Sequence, residues 1–513
     1  MEIKLKSTDW YNNGRTFVRG YCFDSFDTFL QGDSLLSYFD NIASESEFLE
    51  RLISANGLFS VIISSGNFNA IAVDNTRIYP LYFTNSGVVS DDPHTLPNEG
   101  LSNSYIVDYY KATSTIPEGY TLIKNILQVK PSHFAVFQSN NNSWRQVSYQ
   151  NYCCKLQDES VAEIKDVIDA FEHITQRLIE SSQQRQIVIP LSGGYDSRLI
   201  ATMLAKYGYK NVIAYTVGKK DSSECVIASK VAQMLNIPCY IVDITSENAI
   251  NECYANKNEF MQYFHHVGNY SNFTWMFEYA AIKQLKKQKV LSTDAIFVPG
   301  HSGDSIAGSH IVKANVTPAD NARSLTRKIL YISNEFGYKR TLRSETYKYF
   351  KLLLEAGFTP YSVYQNYILQ NRQCHNIVNS ARVYEFFGYG VRLPLWDKQL
   401  VSLFKKIPYS QLHNCALYNT SVTMLFSKYK VNFLKQYSYI NTLKVMLKRM
   451  IKRLLPNEYI KSPQVGSLGE WEVCKPMLDE LIKNGKYSKF KKPLNSNVIM
   501  KEWYLMQVCS GNG

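Results

Sequence analysis

The spacing of apolar residues along the chain changes near position 158. Before it, short apolar runs are divided by turn residues. Phe59-Ser60-Val61-Ile62-Ile63 and Ala70-Ile71-Ala72-Val73 read as strands, with Ser64-Ser65-Gly66-Asn67 as the hairpin turn between them. Residues 79–83, 87–89 and 133–137 continue the pattern, and the polar run 138–143 reads as a turn or loop. A β-rich domain is therefore expected over residues 1–150.

After that point the period becomes helical. Val161, Ile164, Val167, Ile168, Phe171, Ile174 and Leu178 recur every three or four residues, which is one face of an amphipathic helix. Strands and helices then alternate. Strands are predicted over 187–191, 212–217, 238–242 and 295–298, with helices over 197–206 and 222–235 between them. Asp221 followed by Glu224 predicts a capping box for the second of these helices. Such βαβ units build a parallel sheet with helices on both faces. The rest of the chain, to Gly513, reads as mainly helical. The prediction is an α/β protein, with a second domain over 155–513.

Composition narrows the class. The 513 residues suffice for two or three domains, and 45% hydrophobic with 19% charged residues is the balance of a soluble globular protein. No run approaches the roughly 18 apolar residues of a membrane helix, and the opening residues 1–6 lack a signal-peptide core. The cytoplasm is the expected location. Ten cysteines without CxxC spacing argue for free thiols rather than zinc or redox chemistry. The net charge of +12 is partly concentrated in residues 443–455, where basic residues flank an apolar stripe. An anionic membrane surface, nucleic acid or nucleotide phosphates would each suit such a run. An ordinary helix with one solvated basic face is the reading taken.

Candidate chemistry begins where the strand ending at Leu191 runs into Ser192-Gly193-Gly194-Tyr195-Asp196-Ser197 and a helix follows at once. Two glycines allow close backbone approach to phosphates, and successive N–H groups at a helix start supply positive potential. Ser192 and Ser197 offer hydroxyls, and Asp196 can carry a magnesium ion bridging phosphate oxygens.

This SGGxDS loop resembles the PP-loop ATP pyrophosphatases, which split ATP between its α and β phosphates. Two further blocks resemble asparagine synthetases in particular. One is 298–308, Val-Pro-Gly-His-Ser-Gly-Asp-Ser-Ile-Ala-Gly, and the other is 382–397, containing Glu385, Arg392 and Asp397. The resemblance implies ATP and Mg²⁺ as cofactors. It implies a nucleotide site at Leu191, Ser192, Gly193, Gly194, Asp196, Ser197, Pro299 and Gly300, with Val217 and Gly218 toward the adenine. Asp196 and Asp304 become the metal ligands, and Asp304 and Ser305 catalytic positions. Arg392 reads either as catalytic or as a structural tie to Asp397 or Glu385.

The first 150 residues resemble the family's glutaminase half, an Ntn-hydrolase-like α+β sandwich, through Gly57-Leu58-Phe59-Ser60 and the 74–82 block. Glu2 stands where the nucleophilic cysteine belongs, and the first cysteine is Cys22, so the reaction is expected to be lost. His301 and Ser305 replace family glutamates, and Gln464 replaces a catalytic lysine, a role for which Lys461 is the substitute.

The implied activity is an AMP-forming ligase that joins a carboxylate (a small molecule, a peptide or a glycan precursor) to ammonia or an amine, with any ammonia coming from a separate glutaminase. The GHxGD form of the second loop also resembles lasso-peptide cyclases, which weakens the case for aspartate. A scaffold that keeps the fold and a tRNA-modifying PP-loop enzyme are the alternatives. Nucleic acid and a membrane span are not expected.

Overall fold

A computed structural model of the protein describes residues 1–66, 68–116, 119–138, 140–273, 275–333, 340–433, 470–488, 493 and 495–511. The N-terminal strands are β1 (Glu2–Lys4), β2 (Tyr11–Asn12), β3 (Thr16–Phe23), β4 (Phe29–Gln31), β5 (Asn56–Ser64), β6 (Asn69–Val73), β7 (Tyr82–Thr84), β8 (Val88–Ser90), β9 (Ile126–Gln128), β10 (His133–Gln138) and β11 (Ser143–Ser148). They form two sheets. The larger has the order β11-β10-β6-β5-β3-β2 with β4 beside β3, and the smaller the order β1-β8-β7-β9. Only the β1·β8 pair is parallel; β5 and β6 make the expected antiparallel hairpin, Ser64 facing Asn69.

Alternation along the strands sets the layers. Phe59, Val61 and Ile63 of β5 pack against Leu35 and Phe39 of helix α1 (Asp33–Phe39) and Phe48 and Leu52 of α2 (Glu45–Ser54). Ile62, Ile71 and Val73 point the other way and meet Phe83 and Val89 of the smaller sheet. The far face of that sheet, with Tyr82, Val88 and Ile126, packs on Ile106 and Tyr110 of α3 (Ser104–Thr113). The result is a helix–sheet–sheet–helix sandwich. Cys22 lies inside β3, opposite Gly57 and fully buried, and burial pushes its thiol far above the usual range. A thiol held neutral there is no nucleophile. The purified protein is expected to release no glutamate from glutamine, with or without Cys22→Ala; release that Cys22→Ala abolishes would overturn this.

Helix α4 (Ile164–Ser182) carries the predicted apolar face, through Val167, Phe171, Ile174 and Leu178. It starts later than the pattern suggested. Glu163 and Asp166 form a capping box there, and Val161 is 78% exposed outside the helix. Five parallel strands follow: β12 (Ile187–Pro190), β13 (Val212–Val217), β14 (Cys239–Val242), β15 (Ile296–Phe297) and β16 (Gly390–Val391), in the order β14-β13-β12-β15-β16. Helices α5 (Asp196–Lys206) and α6 (Ser223–Met234) join the first three strands. The cap of α6 is Ser222, whose Oγ accepts the Cys225 N–H at 3.3 Å, not the expected Asp221–Glu224 box. Among the described residues, no helix is long and apolar enough to cross a membrane. All ten cysteines carry free thiols. The basic run 443–455, Lys461 and Gln464 lie outside the described residues.

Buried charge joins the sandwich to the parallel sheet. Arg19 of β3 reaches Glu385, which also takes Arg382 Nε at 3.3 Å and His266 Nε2 at 3.2 Å. Asp397 accepts from Arg177 at 2.9 Å and from Asn56 at 2.9 Å. Arg392 ties neither Asp397 nor Glu385. It donates to the Ser181 carbonyl at 2.8 Å and Ser181 Oγ at 3.0 Å, and its guanidinium lies 3.9 Å from the Tyr21 ring centroid.

Candidate active site

The C-terminal ends of β12 and β15 open onto one cleft of about 420 Å³, lined by Ser192, Gly194, Asp196, Gly300, His301 and Asp304 among others. The loop after β12 folds back on itself. The Ser192 N–H donates to Ser197 Oγ at 3.1 Å, and the Gly194 N–H donates to Ser192 Oγ at 3.1 Å. Ser197 is buried, so its hydroxyl closes the loop, whereas Ser192 is exposed to the cleft. Helix α5 starts at Asp196, so its unpaired N–H groups and positive dipole end face the cleft.

The second loop comes in at close quarters. A Cβ on Gly300 would collide with the Ser197 backbone nitrogen, and one on Gly303 would stand 2.7 Å from the Tyr418 hydroxyl and 2.9 Å from Asp196 Cγ. Glycine is needed at both places for steric reasons. The contact brings two carboxylates together. The Asp304 N–H donates to Asp196 Oδ2 at 3.0 Å, the Gly303 N–H also reaches that carboxylate, and Tyr418 OH donates to Oδ1 at 2.7 Å. Ser302 Oγ anchors the loop from behind by donating to Gln373 Oε1 at 2.8 Å.

Burial, and then the charge of Asp304, pushes the Asp196 carboxyl well above the ordinary carboxylate range. A cation between the two would relieve that strain. Among the described residues no group of three His, Cys, Asp or Glu side chains could hold a metal alone. Two carboxylates alone suit Mg²⁺, which keeps waters and shares itself with substrate phosphates. His301 lines the cleft as a neutral imidazole, held down to about 4 by burial, and its Nδ1 is buried without a partner among the described residues.

The remaining expected positions divide. Pro299 lines the cleft. Leu191 is buried behind it, donating its N–H to the Tyr215 carbonyl at 2.7 Å. The Gly193 carbonyl faces Arg198. Val217 is buried at the end of β13, and the Gly218 N–H donates to the Val242 carbonyl at 2.9 Å; neither lines this cleft. Ser305 is buried and away from the cleft, its Oγ unpartnered among the described residues.

Sequence reasoning missed four residues. Tyr418 and Gln373 hold the two loops. Glu278 lines the cleft from the helix Met276–Lys287. Arg198, fully buried in α5, grips three carbonyls, those of Gly193 at 3.0 Å, Val431 at 3.1 Å and Phe433 at 2.9 Å. An arginine directly after SGGxDS was the one available signal, since a charged residue at that point must find acceptors in the core.

A family model described as asparagine synthase matches residues 169–503. No curated protein matches the chain. A solved structure, the NH3-dependent NAD synthetase from Campylobacter jejuni subsp. jejuni NCTC 11168 in complex with the nitrate ion, shares 16% identity over 43% of this chain and 96% of that one, with a TM-score of 0.23.

Proposed function

From the premise that this chain belongs to the asparagine synthase family, and so carries an ATP-dependent amide-forming domain, we propose that it activates a carboxylate as an acyl-adenylate, releasing pyrophosphate, and transfers the acyl group to ammonia or an amine. The observation carrying this reading is the juxtaposition of Asp196 and Asp304 beside the start of α5. In this reading residues 1–150 form a glutaminase-like domain without its reaction, and 155–513 the synthetase domain. A peptide or glycan-precursor carboxylate suits the GHxGD form of the second loop, with His301 on the cleft lining, better than aspartate does.

Asp196 and Asp304 would hold magnesium, which when bound neutralises charge on the pyrophosphate. The chain's own residues do the rest. With the Ser192 and Gly194 N–H groups spent on closing the loop, the remaining N–H groups up to Ser197 and the helix dipole would receive phosphate oxygens, in a geometry set before ATP arrives. Tyr418, Gly303 and Asp304 N–H fix the rotamer of the Asp196 carboxylate. Val217 and Gly218 would meet the adenine through backbone groups, and Pro299 and Gly300 border the phosphates. Lys461 would stabilise the charge that develops as AMP leaves.

The test is pyrophosphate exchange into ATP with a panel of amino acids, peptides and uronic acids. Exchange is expected with one class of carboxylate only, and Lys461→Met should lower amide formation with it about 10²-fold while ATP binding stays. Formation of ADP and phosphate, or no exchange with any member, would sink the proposal. Full activity of Lys461→Met would remove that residue from it.

A further inference from the structure

The cleft holds a third carboxyl that the proposed metal pair and phosphate loop leave unused. Glu278 stands in the first turn of the helix Met276–Lys287 and lines the same cleft as Ser192, Asp196 and Asp304. Two phenols hold one of its oxygens: Tyr215 of β13 donates to Oε2, and Tyr384 of the helix Arg382–Phe386 donates to the same atom at 3.3 Å. Among the described residues no cation pairs with Glu278; Lys313, outside the cleft lining, pairs instead with Asp304 Oδ2 at 3.5 Å. The other titratable groups on the lining are Asp196, Asp304, Tyr195, Tyr418 and the neutral His301.

A carboxylate beside a phosphate loop repels phosphate and is costly to bury without a partner. The buried acid Asp74 of this molecule has both oxygens taken, by the Thr76 hydroxyl and the Phe59, Thr76 and Arg77 N–H groups, whereas only one oxygen of Glu278 is held. Glu278 has only two hydroxyls, which orient it and leave its second oxygen for something that enters the cleft. The substrate that suits it is the one arriving with positive charge. On the ligase reading, on which this assignment rests, that substrate is the amine.

We infer that Glu278 receives the amine substrate as its ammonium cation and takes one of its protons before the nitrogen attacks the activated carboxyl carbon. One N–H bond breaks, its proton passing to Glu278, and the freed electron pair forms the C–N bond. The C–O bond to AMP then breaks, with its electrons leaving on the phosphate, and the second amine proton goes to solvent. Burial pushes the Glu278 carboxyl up to about 7, against the pull of both tyrosine hydrogen bonds. A base must be ionised to act, so the rate with an ammonium substrate should rise with pH through about 7.

The test compares three readouts, using each carboxylate that supports pyrophosphate exchange: exchange itself, amide formation from ammonium chloride, and hydroxamate formation from hydroxylamine. Hydroxylamine is largely unprotonated near neutrality and needs no base to free its electron pair. In Glu278→Gln the ratio of amide formation to exchange should fall about 10²-fold, the ratio of hydroxamate to exchange should change less than about threefold, and the inflection near pH 7 should vanish, leaving only the rise that follows the free-ammonia fraction. Should that variant fail to fold, Tyr384→Phe tests the same point. It removes a hydrogen bond that favours the ionised form, so the rise should move to higher pH. Equal loss of amide and hydroxamate would make Glu278 a structural residue and overturn the assignment. So would an unchanged pH profile, or hydroxamate without any amide from ammonium in the wild type. Absence of exchange with every carboxylate overturns the ligase reading itself, and this assignment with it.

Discussion

Asp196→Asn should lower magnesium-dependent pyrophosphate exchange by 10²- to 10³-fold while leaving the protein at least as stable as before. Asparagine keeps the shape of the side chain and removes its charge. The lost charge is the one proposed to hold the metal, and loss of one preorganised electrostatic group is worth about 2.7–4 kcal/mol in the transition state. The stability half of the expectation follows from the raised carboxyl. Burial and the charge of Asp304 disfavour its ionised form in the fold. A group raised on folding contributes stability that is complete below its unfolded value and is lost as pH rises through its folded value. Without metal, the wild type should therefore lose stability between the ordinary carboxylate range and that raised value, and Asp196→Asn should not. MgATP should raise the wild-type melting temperature more at pH 8 than at pH 5. A variant that unfolds, or one that exchanges normally, would contradict this account.

Glu385→Ala should destabilise the whole molecule by about 3–5 kcal/mol, the usual cost of removing one partner from a buried ion cluster. Arg19, Arg382 and His266 all turn toward this one carboxylate, and the side chains of Arg19 and Arg382 are 5% and 3% exposed. Arg19 and Arg382 could not reach water without opening the packing between β3 and the 382–386 helix; Arg19 would keep only the exposed Asp9 at 3.3 Å, and His266 is already 28% exposed. Against the cost of burial, the charge of Arg19 and then that of His266 hold the Glu385 carboxyl well below its usual range. The sign is opposite to that of Asp196. Its contribution is present above the unfolded carboxylate value and is lost as pH falls through the lowered folded one. Chemical unfolding of Glu385→Ala at pH 7, set against the wild type, measures the cost, and the gap should narrow on acidification. A loss under 1 kcal/mol would mean that the cluster is solvated.

The sheet and the glycine loop after its strand β12 were legible because both are local. Residues 187–191 form an unbroken apolar run and 212–217 one interrupted only by Thr216, and SGGxDS follows the first without a gap. The second loop was legible through Gly300, Gly303 and Asp304, the two glycines fitting against Ser197 and Asp196 with no room for a Cβ. Strand β16 was not, since its two residues show no periodicity and sit inside a block that reads as helix and turn. Nor were the partners of Arg392, because Ser181 lies 211 residues away in sequence. Glu278 looks like any charge on an amphipathic helix until β13 and the 382–386 helix bring two phenols to it. Lys461 is known from the sequence alone.

The contacts of Arg19, Asn56 and Asp27 with the second half of the chain also bear on what natural selection can discard. A region with no reaction of its own is ordinarily free to shrink. Here, whatever reaction residues 1–150 do or do not run, deleting them would strip Glu385 of Arg19, Asp397 of Asn56 and Arg177 of Asp27 in one stroke. No single mutation can repair three exposed partners at once. A lineage that lost the N-terminal chemistry would thus inherit its layers as an obligatory buttress, with its buried arginine more constrained than any former catalytic position.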